Sequence, residues 1–157
     1  MKTIEESKSI LSEVMLPSHA NPAGTVHGGE IMKMMDACGG VTATRHAKTN
    51  VVTVRVDELV FYHPILVGQL VICEGELVFV GRTSMEIKIT VQVEDLMSDL
   101  PGKTALTAYF TYVALDEDRK PCQVPELFLQ TQEQRSAFEY GHNRYLEHKG
   151  KLKNTNN

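Results

Sequence analysis

The chain has 157 residues, 42% of them hydrophobic and 23% charged, and a formal net charge of −4. That length suits one domain burying roughly two-thirds of the surface its unfolded form exposes, and a second core is not expected. The acidic balance, with no Lys/Arg cluster before the last few residues, argues against nucleic-acid partners, and no run nears the roughly 18 apolar residues of a membrane-inserting helix.

Met1 to Lys8 lacks the apolar stretch and small-residue cleavage site of a secretory signal. Cys38, Cys73 and Cys122 are odd in number and sit in apolar or ordinary contexts, so reduced thiols in a cytoplasmic protein are expected. Ser7 to Leu16 reads as a short first strand or extended arm stopped by Pro17. The turn-forming run Ser18 to Gly24 follows, where Pro22 biases Asn21 away from helical geometry and presents it from a constrained loop.

From Gly28 to about Ala47 the pattern is helical, with Ile31, Met34, Met35, Cys38, Val41 and Thr42 recurring on a buried face. The helix opens on Gly28-Gly29, where bare backbone N–H groups and the positive end of the helix dipole favour an approaching carbonyl or anionic oxygen. Asp36 lies about two turns further in, an isolated carboxylate followed by the nearly side-chain-free Gly39-Gly40.

The remaining core reads as strands. Val51 to Tyr62 ends at His63-Pro64, and Val67 to Val80 places Val71, Cys73, Gly75, Leu77 and Phe79 on one face with Glu74 and Glu76 opposite. Met85 to Glu94 alternates most cleanly, with Met85, Ile87, Ile89, Val91 and Val93 inward and Glu86, Lys88, Thr90, Gln92 and Glu94 outward. Lys103 to Leu115 is the last strand, giving an α+β layout in which a mostly antiparallel sheet wraps one long helix. Glu126 to Lys149 reads as a peripheral helix and Lys149 to Asn157 as a solvated tail.

Each candidate site residue also has an ordinary structural explanation. Asp36 could simply pair with Lys33, worth a few tenths of a kcal/mol. Gly28 and Gly29 could serve close packing, and His27 is better explained as a hydrogen-bonding residue than as a base, since no Ser or Cys nucleophile stands at a suggestive spacing. The five groups His19, His27, Cys38, His46 and His63 form no paired metal-ligand spacing, so no metal is expected. Gly81-Arg82-Thr83-Ser84 has the composition of a polar hairpin turn, and also the cation, hydroxyls and free N–H groups that would hold a phosphate.

The run Asn21-x-x-Gly24-x-x-His27-Gly28-Gly29 to Met35-Asp36, followed by Asn50-Val51-Val52-Thr53, Ser84-Met85-Glu86-Ile87 and Phe110-Thr111-Tyr112-Val113, closely resembles the hotdog-fold acyl-CoA thioesterases of the cytosolic acyl-CoA hydrolase group. The likeness spans Leu11 to Leu127 and implies a hotdog domain over residues 8–125, with 126–157 a helical extension and polar tail. It implies hydrolysis of an acyl-CoA thioester without a cofactor, with Asn21 of one subunit facing Asp36 of another and Asp36 acting as general base or nucleophile. Gly28 or Gly29 would polarise the carbonyl. Asn50, Val51, Val52 and Thr53, with Gly81, Arg82, Thr83 and Ser84, would hold the CoA arm, and Met32, Met35 and Phe61 would set the depth of the acyl pocket. A single copy of the domain implies self-association, as a homodimer at least and as a hexameric trimer of dimers in full. A non-catalytic acyl-CoA sensor on the same fold is the alternative. Retention of Asn21 and Asp36, with no helix-turn-helix or basic patch, weighs against it, and an acyl hydratase would need a His and an acid at positions where this chain has none.

Overall fold

In a computed structural model that describes residues 1–155, the chain forms, in order, β1 (Lys2–Thr3), β2 (Ser9–Val14), α1 (Gly28–Ala47), β3 (Asn50–Phe61), β4 (Leu70–Val80), β5 (Ser84–Glu94), β6 (Lys103–Leu115), β7 (Leu127–Phe128) and α2 (Gln132–Thr155). Five strands make one antiparallel sheet in the order β2-β4-β5-β6-β3, the arrangement of the hotdog fold, and α1 lies across its concave face. The buried stripe of α1 is Ile31, Met35, Cys38, Thr42 and His46, at the spacing of one helical face. Val41, expected on that face, is exposed.

Helix and sheet approach closely because glycines stand where they meet. A Cβ at Gly75 would come within 2.7 Å of the Thr42 hydroxyl oxygen, and one at Gly39 within 2.9 Å of Cε2 of Tyr112. Met85, Ile87, Ile89, Val91 and Val93 all enter the core, as their alternation predicts. β4 departs from its simple alternation. A register shift between Leu77 and Phe79 leaves Leu77 opposite Ile87 and Phe79 opposite Glu86, so Phe79 faces the convex side with Glu86 and not the core with Leu77.

That convex side is covered by α2. Phe79 meets Phe138, Tyr145 and His142 with ring centroids 4.9, 5.5 and 5.6 Å away. Glu86, expected outward and solvated, is 3% exposed and bound by Arg144, whose guanidinium lies 3.8 Å from the Tyr109 ring centroid. Asp57 accepts from Arg55 Nε at 2.8 Å and pairs with His148 at 3.2 Å. The helix continues to Thr155, through most of the stretch read as a tail; Asn156 and Asn157 lie outside the described residues. No described helix is long and apolar enough to cross a membrane.

β1 pairs in parallel with β7 and so ties the N-terminal segment to the stretch before α2, and His46 bonds both segments, its carbonyl accepting from Lys2 Nζ at 2.8 Å. His46 is fully buried, and its Nε2 lies 2.7 Å from the Pro125 carbonyl. A carbonyl only accepts, so Nε2 carries the proton, and Nδ1 has no hydrogen-bond partner among the described residues. Burial holds the His46 ring below the ordinary imidazole range, so the neutral form belongs to the fold. The unfolded chain takes up a proton near pH 6.5, and stability is therefore lost as pH falls through that value. Melting temperature is expected to drop between about pH 7.5 and 5.5, and His46→Gln, which keeps a donor for Pro125, to flatten that drop.

Candidate active site

Asp36 leaves the exposed side of α1 at the margin of the sheet, and two strands supply its partners. Thr53 on β3 stands directly opposite Tyr112 on β6, so their side chains share the concave face. Thr53 Oγ1 donates to Asp36 Oδ1 at 2.6 Å. The Tyr112 hydroxyl lies 2.9 Å from the same Oδ1 and 2.9 Å from the Asp36 carbonyl oxygen. Burial, and then the neighbouring Asp36 charge, push the Tyr112 phenol far above the ordinary tyrosine range, so it stays a neutral donor. The simple pairing of Asp36 with Lys33 does not occur among the described ion pairs.

A cavity of about 1040 Å³ opens between α1 and the start of β3, lined by Ala37, the residue after Asp36, with Gly40, Val41, Lys48, Asn50 and Val51. Its size falls at the upper end of small-molecule sites. Of the β3 residues read from the sequence, Asn50 and Val51 line this cavity, Val52 is exposed, and Thr53 contacts the carboxylate itself.

At the other end of α1, no side chain caps the helix and Gly28 and Gly29 are exposed; a Cβ at Gly29 would meet nothing within 4 Å. Backbone donors there are open to an incoming oxygen. The helix rises about 1.5 Å per residue, which puts Gly29 roughly 10 Å from Asp36 along the axis. A single carbonyl oxygen cannot touch both within one chain.

Asn21 is likewise separate. Its amide nitrogen donates to Thr25 Oγ1 at 2.8 Å and its oxygen accepts from the backbone of Ala23 and Thr25 at 3.0 and 3.2 Å, which shapes the loop before α1. No hydrogen bond joins it to Asp36 among the described residues. The structure thus gathers Asp36, Thr53 and Tyr112, and leaves Asn21, Gly28 and Gly29 as a second group at the helix start.

Gly81 to Ser84 forms the β4–β5 turn, closed by Gly81 N–H donating to the Ser84 carbonyl at 2.9 Å. Arg82 is exposed and makes no ion pair among the described residues. Arg82, Thr83 and Ser84 join Arg55, Tyr145 and Lys149 around a hollow of about 380 Å³ on the convex side, opposite the face that carries Tyr112. Sequence reasoning did not single out Tyr112 as a site residue. Its signal would have been the concave-face register that Tyr112 shares with Thr53, visible only once the strands are paired.

The profile of the Thioesterase superfamily matches residues 23–98. The chain is 38% identical over 150 residues to the cytosolic acyl coenzyme A thioester hydrolase of Rattus norvegicus, covering 95% of this chain but 39% of that one. It therefore spans about two-fifths of the length of that curated relative. To the acyl-CoA thioester hydrolase YciA of Salmonella typhimurium it is 36% identical over 127 residues, covering 80% of this chain and 96% of the relative.

Among solved structures, an apo-hexameric acyl-CoA thioesterase superposes with a TM-score of 0.89 at 31% identity, covering 96% of each chain. The acyl-CoA hydrolase of Staphylococcus aureus, solved with butyryl coenzyme A, coenzyme A and coenzyme A disulfide, superposes at 0.88 with 26% identity, covering 98% of this chain and 93% of that one. That hydrolase has also been solved with an Asn, an Asp and a Thr each replaced by Ala, and the three residues are spaced along its chain as Asn21, Asp36 and Thr53 are here. With the YciA hydrolase matched along 96% of its length at 36% identity, this chain belongs to the thioesterase superfamily, in its acyl-CoA thioester hydrolase family.

Proposed function

We propose that the chain hydrolyses acyl-CoA thioesters to a carboxylic acid and free coenzyme A, at a site that two copies build together. The observation that carries this reading is the Asp36 carboxylate gripped by Thr53 and Tyr112, with its chain neighbour Ala37 on the wall of the large cavity. The matching spacing of the Asn, Asp and Thr replaced in the Staphylococcus hydrolase supports it.

The separation of Asp36 from Gly29 along α1 calls for a second helix. A partner α1 running antiparallel alongside brings its own Gly28-Gly29 start, and the Asn21 loop before it, to face this chain's Asp36. β3 supplies the means of association. It is a 12-residue edge strand bonded on one side only, with Val52, Val54, Val60 and Phe61 between 42% and 55% exposed. Such an edge is a template for pairing, here with β3 of a second copy. Three such dimers would give the hexameric state described for its structural neighbour.

At the assembled site, Asp36 either takes a proton from water as the water attacks the thioester carbonyl, or attacks that carbonyl itself. The carbonyl oxygen gains negative charge and is met by the Gly28 or Gly29 N–H, while Asn21 positions the water or the carbonyl oxygen. The C–S bond breaks, the acid is released, and the CoA thiolate leaves and takes up a proton. Water is the only co-reactant, so no cofactor enters. Asn50, Val51 and Val52 hold the CoA arm as it passes the β3 edge, and the Gly81 to Ser84 turn, with Arg82 foremost, receives its phosphates on the convex side. Residues 8–125 form the hydrolase unit, to which 126–157 are an extension whose helix α2 braces the sheet, in a cytoplasmic protein.

Mixing two inactive variants tests the shared site. Random reassembly of Asn21→Ala with Asp36→Ala creates heterodimers in which one of two sites has both native residues. Thiol release should recover to about a quarter of the native rate by statistical mixing of symmetric dimers. Subunits shown to exchange without any recovered activity would contradict a site shared in this way.

A further inference from the structure

We propose that Tyr112 is a positioning residue: with Thr53 it pins Oδ1 of Asp36 and leaves Oδ2 as the oxygen that reacts. The proposal rests on the reading of Asp36 as base or nucleophile given above.

Both side-chain donors to Asp36 converge on Oδ1, and no described side chain donates to Oδ2. A carboxylate anchored at one oxygen by two hydroxyls from neighbouring strands cannot turn about its Cβ–Cγ bond without breaking both. Its second oxygen therefore keeps one direction, away from the sheet. The two anchors differ in rigidity. Thr53 is exposed on the edge strand, whereas Tyr112 is 1% exposed on an inner strand, flanked by β3 and β5. Tyr112 is thus the anchor that holds in the absence of a partner copy.

The helix is built to admit it. Gly39 lies over the tyrosine ring, where any Cβ would collide with the hydroxyl and lie within 2.9 Å of Cε2. Glycine here lets the phenol reach the turn of α1 that carries Asp36, and the one phenolic hydrogen has both of its acceptors on Asp36, the carboxylate and the main-chain carbonyl. Since burial and the Asp36 charge keep that hydrogen in place across the working pH range, the contact is a fixed donor and not a proton relay. A tyrosine kept only for packing would need the ring alone.

Tyr112→Phe keeps the ring and removes the donor. It is expected to lower kcat about tenfold to a hundredfold, the scale of a misoriented reacting group, while KM for acyl-CoA stays within about twofold. Gly39→Ala, which displaces the hydroxyl without deleting it, should reproduce the kinetic pattern; if that variant does not fold, Tyr112→Phe decides alone. A folded Tyr112→Phe with native kcat overturns the positioning role. Asp36→Asn assayed alongside separates the two layers. If it is inactive while Tyr112→Phe is native, only the positioning role fails; if it is itself active, the reading of Asp36 fails and the positioning role with it.

Discussion

Replacing Asp36 by asparagine is expected to lower kcat for acyl-CoA hydrolysis by at least about a hundredfold, the usual loss for a positioned base. The substitution separates chemistry from scaffold. The amide oxygen can still accept from Thr53 and Tyr112, which donate to Oδ1 at 2.6 and 2.9 Å, so the helix and the strand register beneath it keep their contacts. The amide can neither take a proton from water nor attack a thioester. Unfolding and CoA binding should therefore be close to native, and thiol release alone should collapse. Asp36→Ala should lose as much activity, and additionally leave the Tyr112 hydroxyl with only the main-chain carbonyl as acceptor.

The largest effect on stability is expected at the opposite face of the sheet. Glu86 is 3% exposed and its only described partner is Arg144, which reaches it from α2 with Nε donating at 2.9 Å to the same oxygen that Nη2 contacts. The side chain of Arg144 is itself 14% exposed. A buried pair of this kind is weak evidence for stability as a whole, but breaking it from one side leaves an uncompensated charge at a cost of about 3–5 kcal/mol. Arg144→Met should cost that much in urea unfolding at neutral pH, through the loss of the Tyr109 stacking as well as the ion pair.

The pH dependence carries a definite sign. Burial raises the Glu86 carboxyl above the ordinary range and Arg144 opposes the rise. With the guanidinium gone, the folded form holds its proton to higher pH than the unfolded chain. The favourable term is present below the unfolded value, 4.5, and is lost as pH rises through the folded one. The Arg144→Met deficit should therefore be largest at neutral pH and shrink on acidification, and Glu86→Gln in the same chain should recover part of it. A variant that unfolds like the native protein at all pH values would show that α2 does not depend on this pair.

The sequence was most legible where one periodicity persists and solvent lies on one side. The helix from Gly28 to Ala47 and the inward residues of β5 follow directly from spacing, because a helical stripe or a period of two decides which residues meet the core. The errors come from events that periodicity cannot register. An extra residue in β4 turns Phe79 to the convex face, and Glu86 is covered by α2, whose Arg144 stands 58 positions later in the chain. A polar residue on the outer face of a strand reads as solvated until something far along the chain is known to cover it.

The candidate site shows the same division. Asp36, Gly28 and Gly29 stood out locally, as a lone carboxylate in an apolar helix and an uncapped glycine start. Tyr112 did not, because its contact with Asp36 spans 76 positions and is created by strand pairing. Thr53 was noted for the CoA arm, and its register opposite Tyr112 turns it toward the carboxylate. The distance along α1 between Gly29 and Asp36 had been present in the sequence all along. The proposed completion of the site by a second copy accords with that distance.

The most direct test of the account is thiol release by the purified native protein from a panel of acyl-CoAs running from acetyl to palmitoyl. Saturable release of coenzyme A for at least part of that range, with one carboxylic acid formed per thiol, is the predicted result. Tight, saturable binding of acyl-CoA with no thiol released at any chain length would contradict hydrolysis and identify the chain as a binding module.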